Sequence, residues 1–395
     1  MNSDSIIIIG ASAAGVSAAR EIRGIDAALP VRILTDERHL PYYRPSLTEY
    51  ISDSNVESRS NFLLNQESWY RDRNLDLALG TKVTAIDPAG KTVTTATGET
   101  IGFGKLILAN GSTPFVPFRG AAGKKNVFSI RTLDDARAVN DLSGRVKTAI
   151  VIGGGLLGLE AAHSLLGKGV RVTVIEGTER ILPRQLDPES SRIIQSILTG
   201  AGVALVLGRA IEEIQGEPGA TGVLMKDGEV IPADMVIISI GVRPNIEIAK
   251  SSGIAVNRAV LVNERMETSV PGVYACGDVA EFNGKCISLW MPAMKQGKVA
   301  GSNAAGKPVE FLDEAYPVLL NSFGTKIYSA GNICQDRKEG EFRVHATGDP
   351  ATNRYKKLFF VEDRLVGFIL IGDISESQKL AMAMKNRSTF KDAVH

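Results

Sequence analysis

An α/β architecture is predicted by two features of the sequence, and a third adds a smaller α+β piece toward its end. First, IIIIGASAAGVSAAREI, from Ile6, is similar to AIVIGGGLLGLEAAHSL, from Ala149, which pairs Gly10 with Gly153, Ser12 with Gly155 and Gly15 with Gly158. Each copy reads as an apolar run of strand length, a glycine-rich turn, an Ala/Leu-rich helical stretch and a second β-branched run, Val31 to Leu34 or Val170 to Ile175. Two βαβ units in one chain imply parallel sheets covered by helices. Second, each unit is followed by a β-meander that returns to a core strand. Thr81 to Leu108 turns at Asp87-Pro88-Ala89-Gly90 and at Thr97-Gly98-Glu99 before the run Leu106-Ile107-Leu108. Gly222 to Met225, the turn Lys226-Asp227-Gly228-Glu229 and Met235 to Ile238 repeat that plan and run into Gly241. Third, beyond about Leu312 the pattern changes to short β-type runs, Leu358 to Val361 and Leu365 to Leu370, and a terminal helix from about Ser375.

Composition narrows the functional classes. The 395 residues are enough for several domains at roughly 100–200 residues each. With 45 Lys+Arg against 44 Asp+Glu and 44% hydrophobic residues, the chain is neither disordered nor built to coat nucleic acid or a membrane surface. Its three cysteines, Cys276, Cys286 and Cys334, are too sparse for a disulfide framework or a thiolate metal cluster, so a reducing compartment is expected. The start MNSDSIIIIG has no basic leader-like region, and no run of about 18 apolar residues occurs, so the expectation is a cytoplasmic protein without a membrane span. His39, His163, His345 and His395 are scattered and make no metal-ligand spacing.

The glycine turns carry the first chemical inference. A strand that turns sharply into a helix presents free N–H groups and a positive dipole end to a pyrophosphate, and glycine lets the phosphate approach. Gly153, Gly155 and Gly158 meet that fingerprint, with Leu156 and Leu157 opening the helix, and Glu176 closes the next strand where a carboxylate accepts from both ribose hydroxyls. A carboxylate there repels a 2′-phosphate, so NADH is favoured over NADPH, with Arg180 nearby. In the first copy Gly10 and Gly15 are present, Ser12 takes the middle place, and Ala13 and Ala14 open the helix. Its ribose carboxylate is Glu37 if Arg32 aligns with Arg171, or Asp36 after a one-residue shift. The predicted fold is therefore two Rossmann-like dinucleotide-binding domains of the three-layer ββα type plus a small C-terminal α+β domain.

At this point the residues resemble the FAD-dependent pyridine nucleotide-disulfide oxidoreductase superfamily over nearly the whole chain. The similar segments include Leu108-Ala109-Asn110-Gly111-Ser112-Thr113-Pro114, with Asn110 where the family has threonine, Gly241-Val242-Arg243-Pro244-Asn245, and Val273-Tyr274-Ala275-Cys276-Gly277-Asp278. The resemblance implies that Asp278, beside Gly277, accepts from the ribityl chain of FAD. Pro41-Tyr42-Tyr43-Arg44-Pro45 looks like the segment of rubredoxin reductases and of the flavin portion of nitrite reductases, where a basic residue matching Arg44 lies against the flavin and Pro45 shapes the loop. A cation there stabilises a reduced, anionic ring. By the same resemblance Trp290 and Met291 precede a helix whose N-terminus faces the flavin pyrimidine, although both could equally be core residues. Val83 matches a position whose backbone contacts adenine. Glu160 matches a residue near the nicotinamide, or is a solvated helix carboxylate. The implied boundaries are 1–112 with 245–311 for an FAD-binding domain, 113–244 for an NAD-binding domain and 312–395 for the C-terminal domain.

Disulfide reductases and peroxidases of this superfamily carry reactive cysteines near the Tyr43-Arg44 position, whereas residues 1–275 here contain none. The resemblance then implies a reductase that passes hydride from NADH to FAD and single electrons to a small carrier, rubredoxin first, with no nucleic-acid or membrane partner. Arg354, Lys356, Lys357, Lys385, Arg387 and Lys391 are candidates for steering an acidic carrier. The alternatives are the flavin subunit of an NADH-dependent nitrite reductase, a thiol-free NADH oxidase, and a slow redox-sensing interaction protein that binds both cofactors.

Overall fold

A computed structural model describes residues 5–338, 340–349 and 354–394, so His395 lies outside the described residues. The chain forms two compact units: 1–46, 55–113 and 242–314 make the first, and 47–54, 114–241 and 315–395 make the second.

In the first unit the β-branched runs form a five-stranded parallel sheet in the order Val273–Ala275, Lys105–Leu108, Ile6–Ile9, Val31–Leu34, Leu75–Ala78. All four residues of Ile6–Ile9 are buried, as expected of a strand covered on both faces. One face packs on the helices Ala13–Ile25 and Trp290–Ala304, and the other on apolar residues of the meander strands Val83–Asp87 and Thr92–Thr95. Arg23 closes the first helix by donating to the carbonyls of Asp26, Ala27 and Leu29, and to Asn74 beyond. The second helix begins at Trp290, so Trp290 and Met291, expected to precede it, lie in its first turn.

The second unit repeats the plan. Its parallel sheet runs Ala204–Leu207, Arg171–Glu176, Thr148–Ile152, Met235–Ile238, Val127–Phe128. In both sheets the first strand of the βαβ unit lies between the second strand and the strand returning from the meander. That reversal of strand order opens a crevice at the carboxyl ends of the strands. The meander contains a strand that the sequence pattern did not isolate, Ile211–Gln215, where charged residues interrupt the apolar run.

Residues from Val318 onward form an antiparallel sheet of five strands with the helices Ser377–Lys385 and Phe390–Val394. One face has its own core around Leu358, Phe360, Phe368 and Leu380. The other contributes Ile327, Phe359 and Ile371 to the core beneath the second parallel sheet, so this segment shares a core with 114–241. Lys357 is buried there between Asp187 (2.6 Å) and Glu189 (2.7 Å), and Lys356 pairs with Glu376 at 2.7 Å. Lys357 is corrected from a steering charge to a structural one, because it is buried between its two carboxylates, whereas Lys356 is half-exposed in its ion pair. Lys385, Arg387 and Lys391 are exposed.

Candidate functional site

The two glycine turns have one geometry. Gly10 has φ +107° and Gly153 φ +113°, and a Cβ on either would lie 2.2 Å from a carbonyl oxygen of the returning strand's end, that of Ala109 or Ser239. A Cβ on Gly15 would lie 1.9 Å from the Gly10 carbonyl oxygen, and one on Gly158 2.0 Å from that of Gly153. These four glycines are demanded by the close passage of helix against strand. Gly155 differs: nothing lies within 4 Å of its would-be Cβ, so its absent side chain leaves open space at the start of the helix Leu156–Gly167. A phosphate approaching the helix N-terminus needs such clearance, and the turn fits a dinucleotide. Leu157 is 52% exposed and Leu156 half-buried at the same end.

Glu176 is fixed on that turn. One carboxylate oxygen accepts from the Gly154 N–H at 2.9 Å, the other from the Thr178 N–H at 2.9 Å and the Thr178 hydroxyl at 3.0 Å. Gly241, with φ +104°, follows the returning strand. Glu160 projects from Leu156–Gly167 and accepts from the Thr48 hydroxyl at 2.9 Å, which makes it a partnered carboxylate and not a freely solvated one. Burial raises its pKa, the Thr48 hydrogen bond opposes that rise, and the Glu49 charge adds to it.

In the first unit, Ser12 starts the helix Ala13–Ile25 without capping it, and its hydroxyl accepts from Arg44 Nε at 2.9 Å. Ala13 and Ala14 are buried beneath. Glu37 lies in the pocket formed by Ala11, Ser12, Thr35, His39, Pro41, Tyr42 and Arg44, accepting from the Tyr42 hydroxyl at 2.6 Å and paired with Arg44. Asp36 is exposed. Arg44 thus has its guanidinium at the nucleotide turn. The short 3-10 turn Arg44–Ser46, with Pro45 inside it, aims the side chain back toward Ser12. Burial opposes the Arg44 charge, yet Glu37, Tyr42 and Asp278 hold its pKa above the usual guanidinium value.

Asp278 accepts from the Ser112 hydroxyl at 2.6 Å. Gly277, with φ +76°, has its would-be Cβ 3.0 Å from the Ala14 Cβ and donates its N–H to the buried Gln296 at 2.8 Å. Asn110 and Asn245 each donate a side-chain amide to the other's carbonyl, at 2.9 and 2.8 Å, and the Asn110 Oδ1 atom is buried without a partner. Gly111 has φ +64° and Ala109 is buried. Val83 is buried where its strand begins. Trp290 is half-buried, its ring 5.0 Å from that of Tyr43, whereas Met291 is 57% exposed and so is no core residue. An unpaired buried acceptor beside a fixed carboxylate and a helix N-terminus suits a ligand rich in hydroxyl and N–H donors, as FAD is.

Gln296, Thr178 and Thr48, and the contact of Ser112 with Asp278, have no signal in the sequence, since single hydroxyls and amides have no periodicity. Gly297 and Gly301 had a signal, two glycines four apart in a helix. A Cβ on either would lie 2.1 or 2.5 Å from the carbonyl oxygen of Ala14 or Ala18. Cys276 is fully buried, and burial pushes its pKa up to about 12. Burial also raises the pKa of Cys286 and Cys334, so no thiol here is tuned toward a reactive thiolate. Among the described residues no group of three or more His, Cys, Asp or Glu could hold a metal, and no helix is long and apolar enough to cross a membrane.

Paired glycine turns, each with its own carboxylate at the end of the next strand or just beyond it, define a protein with two dinucleotide-binding domains. The chain belongs to the pyridine nucleotide-disulphide oxidoreductase family, which it matches over residues 4–297, and residues 318–388 match the rubredoxin NAD+ reductase C-terminal domain. That family is one of oxidoreductases. It is 34% identical to an assimilatory nitrate reductase electron transfer subunit of Bacillus subtilis over 96% of its length, and spans about half, 49%, of that longer relative. It is 33% identical to an NADH-rubredoxin oxidoreductase of Clostridium acetobutylicum, covering 99% of this chain and 97% of that one. The crystal structure of a covalent putidaredoxin reductase–putidaredoxin complex matches with a TM-score of 0.88 at 27% identity, over 97% of this chain and 93% of the other.

Proposed function

We propose that this protein is a cytoplasmic NADH-dependent flavoprotein reductase of a small one-electron carrier of the rubredoxin type. The observation that carries this reading is the end-to-end similarity to an NADH-rubredoxin oxidoreductase, C-terminal segment included. In this reading 1–112 and 245–311 hold FAD, 113–244 hold NADH, and 312–395 form the C-terminal domain. FAD supplies the chemistry that accepts a hydride and returns electrons singly.

The chain's own residues bind and orient. The N–H groups at the start of Ala13–Ile25 and the Ser12 hydroxyl face the FAD pyrophosphate, Arg44 adds a fixed positive charge at that turn, and Glu37, not exposed Asp36, accepts from the ribose. Asp278, fixed by Ser112, accepts from the ribityl chain, and the N-terminus of Trp290–Ala304 lends its positive dipole end to negative charge on the ring. Gly155 and the start of Leu156–Gly167 take the NADH pyrophosphate, with Glu176 on its ribose. Buried Cys276 takes no part.

The test is stopped-flow reoxidation of NADH-reduced protein by rubredoxin, a ferredoxin, oxygen and a disulfide in parallel. Fast reoxidation by rubredoxin is expected; reoxidation only by oxygen or a disulfide would overturn the reading. The second reading, the flavin component of a nitrite reductase, draws on the 34% identity, over 96% of this chain, to a nitrite reductase (NAD(P)H) of Bacillus subtilis, of which the chain spans 47%. It predicts slow transfer to rubredoxin and fast transfer to a separate nitrite-reducing subunit.

A further inference from the structure

The segment 47–54 belongs to the second unit although its neighbours on both sides belong to the first. Its helix Leu47–Tyr50 packs on Leu156–Gly167, and Asn140 holds it by donating to the carbonyls of Tyr50 (3.0 Å) and Ile51 (2.8 Å). Ile51 is fully buried in the core of that unit. Thr48 on this helix is 4% exposed, and its hydroxyl donates to Glu160 Oε2 at 2.9 Å. A hydroxyl has one proton to give, and Thr48 gives it to that oxygen.

We propose that Thr48 is a positioning residue that dictates the proton geometry of Glu160: by donating to Oε2 it makes that atom the carbonyl oxygen of the neutral acid and leaves Oε1 to carry the proton. The proposal deepens the reading above, in which Glu160 stands near the nicotinamide. Glu49, next along the same helix, acts on the same carboxyl as a negative charge. The two neighbours oppose each other, since a donor on the carboxylate favours the ionised form and a nearby like charge disfavours it. Burial sides with Glu49, and the net effect is a raised pKa.

Other charged groups on the packed elements are engaged or remote. His163, on the same helix, accepts the Phe323 N–H at 3.3 Å, and Glu176 is tied to Gly154 and Thr178. Arg171 begins its strand at the end away from the glycine turn. The strands Thr148–Ile152 and Val318–Ser322 bring no titratable side chain. Thr48 therefore sets where the proton of Glu160 sits, and together with burial and Glu49 it sets at what pH that proton leaves.

The experiment uses FAD-loaded protein and infrared spectroscopy across a pH titration, with the Glu160 band assigned by its loss in Glu160→Gln. In the unmodified protein a protonated-carboxyl band persists above the pH at which exposed glutamates ionise. Thr48→Val, which keeps the shape and removes the donor, should move the carbonyl stretch to higher frequency and raise the midpoint by about one unit. Thr48→Ser should restore both, and Glu49→Gln should lower the midpoint. A band and midpoint unchanged in Thr48→Val, or a Glu160 that titrates with the exposed glutamates, would overturn the proposal. If the bands shift as expected while hydride transfer keeps the same pH profile in every variant, the Thr48 assignment stands and the placement of Glu160 at the nicotinamide falls.

Discussion

At Glu176 all three hydrogen bonds that hold the carboxylate come from within two residues or from the glycine turn itself, so the group is oriented before any ligand arrives. Preorganisation of that kind lowers the ordering cost of binding without touching the reaction step. Glu176→Ala should raise the KM for NADH by roughly tenfold, the loss of about 1.4 kcal/mol from a hydrogen bond to a charged group, and leave kcat much less affected. Steady-state kinetics with NADH as the varied substrate checks this, and an unchanged KM would remove Glu176 from the ribose. This residue was legible in the sequence because spacing after a glycine turn is a local constraint. Which of Asp36 and Glu37 turns into the pocket of Ser12, Tyr42 and Arg44 was not legible, because a one-residue shift exchanges the two side chains. Arg44 stood out in the sequence as a candidate cation, but its contact with Ser12 depends on the 3-10 turn Arg44–Ser46, which sequence pattern does not reveal.

Between elements, the contact that matters most in the first unit is helix on helix, Ala13–Ile25 against Trp290–Ala304, where Gly297 and Gly301 let the backbones approach. Gly297→Ala places a Cβ 2.1 Å from a backbone oxygen that cannot swing away. Overpacking of this kind costs about 1–3 kcal/mol. The expected result is a lower melting temperature and weaker FAD retention, measured by thermal denaturation and by flavin absorbance after gel filtration. Gly24→Ala, with nothing within 4 Å of its would-be Cβ, serves as the control and should be neutral or slightly stabilising. The parallel sheets and both βαβ units were readable because buried strands and glycine turns impose their pattern over a few residues. Ile211–Gln215 was missed because its glutamates hide the strand period.

Across the whole chain, the features that sequence could not supply are those joining distant segments. Lys357 reads as a surface cation, yet its partners Asp187 and Glu189 lie some 170 residues earlier. Burial works against both charges of the main pair, but Lys357 and Ser190 hold the Asp187 pKa below its usual value, and Asp187 and Glu189 hold that of Lys357 above. Lys357→Met strands a buried carboxylate and should destabilise the protein by about 3 kcal/mol near neutral pH, with half-exposed Glu189 contributing little. A depressed Asp187 pKa gives stability that is present above the unfolded value, about 3.9, and is lost as pH falls through the folded value. A raised Lys357 pKa gives stability that is present below the unfolded value, about 10.4, and is lost as pH rises through the folded one. Urea denaturation of both proteins should therefore find the gap widest between about pH 5 and 9 and shrinking below about pH 4. An equal gap at every pH would remove the ion pair as its cause.

The interleaving of the two units also sets an order of events during translation. All five strands of the second parallel sheet lie between Val127 and Ile238, so they can pair as soon as that stretch has left the ribosome. The first sheet still lacks its edge strand Val273–Ala275, and its glycine-backed helix partner ends only at Ala304. Of the two parallel sheets, the one whose strands begin first is therefore the later to close, and its apolar face must be shielded while the nascent polypeptide lengthens by nearly two hundred residues beyond Lys105–Leu108.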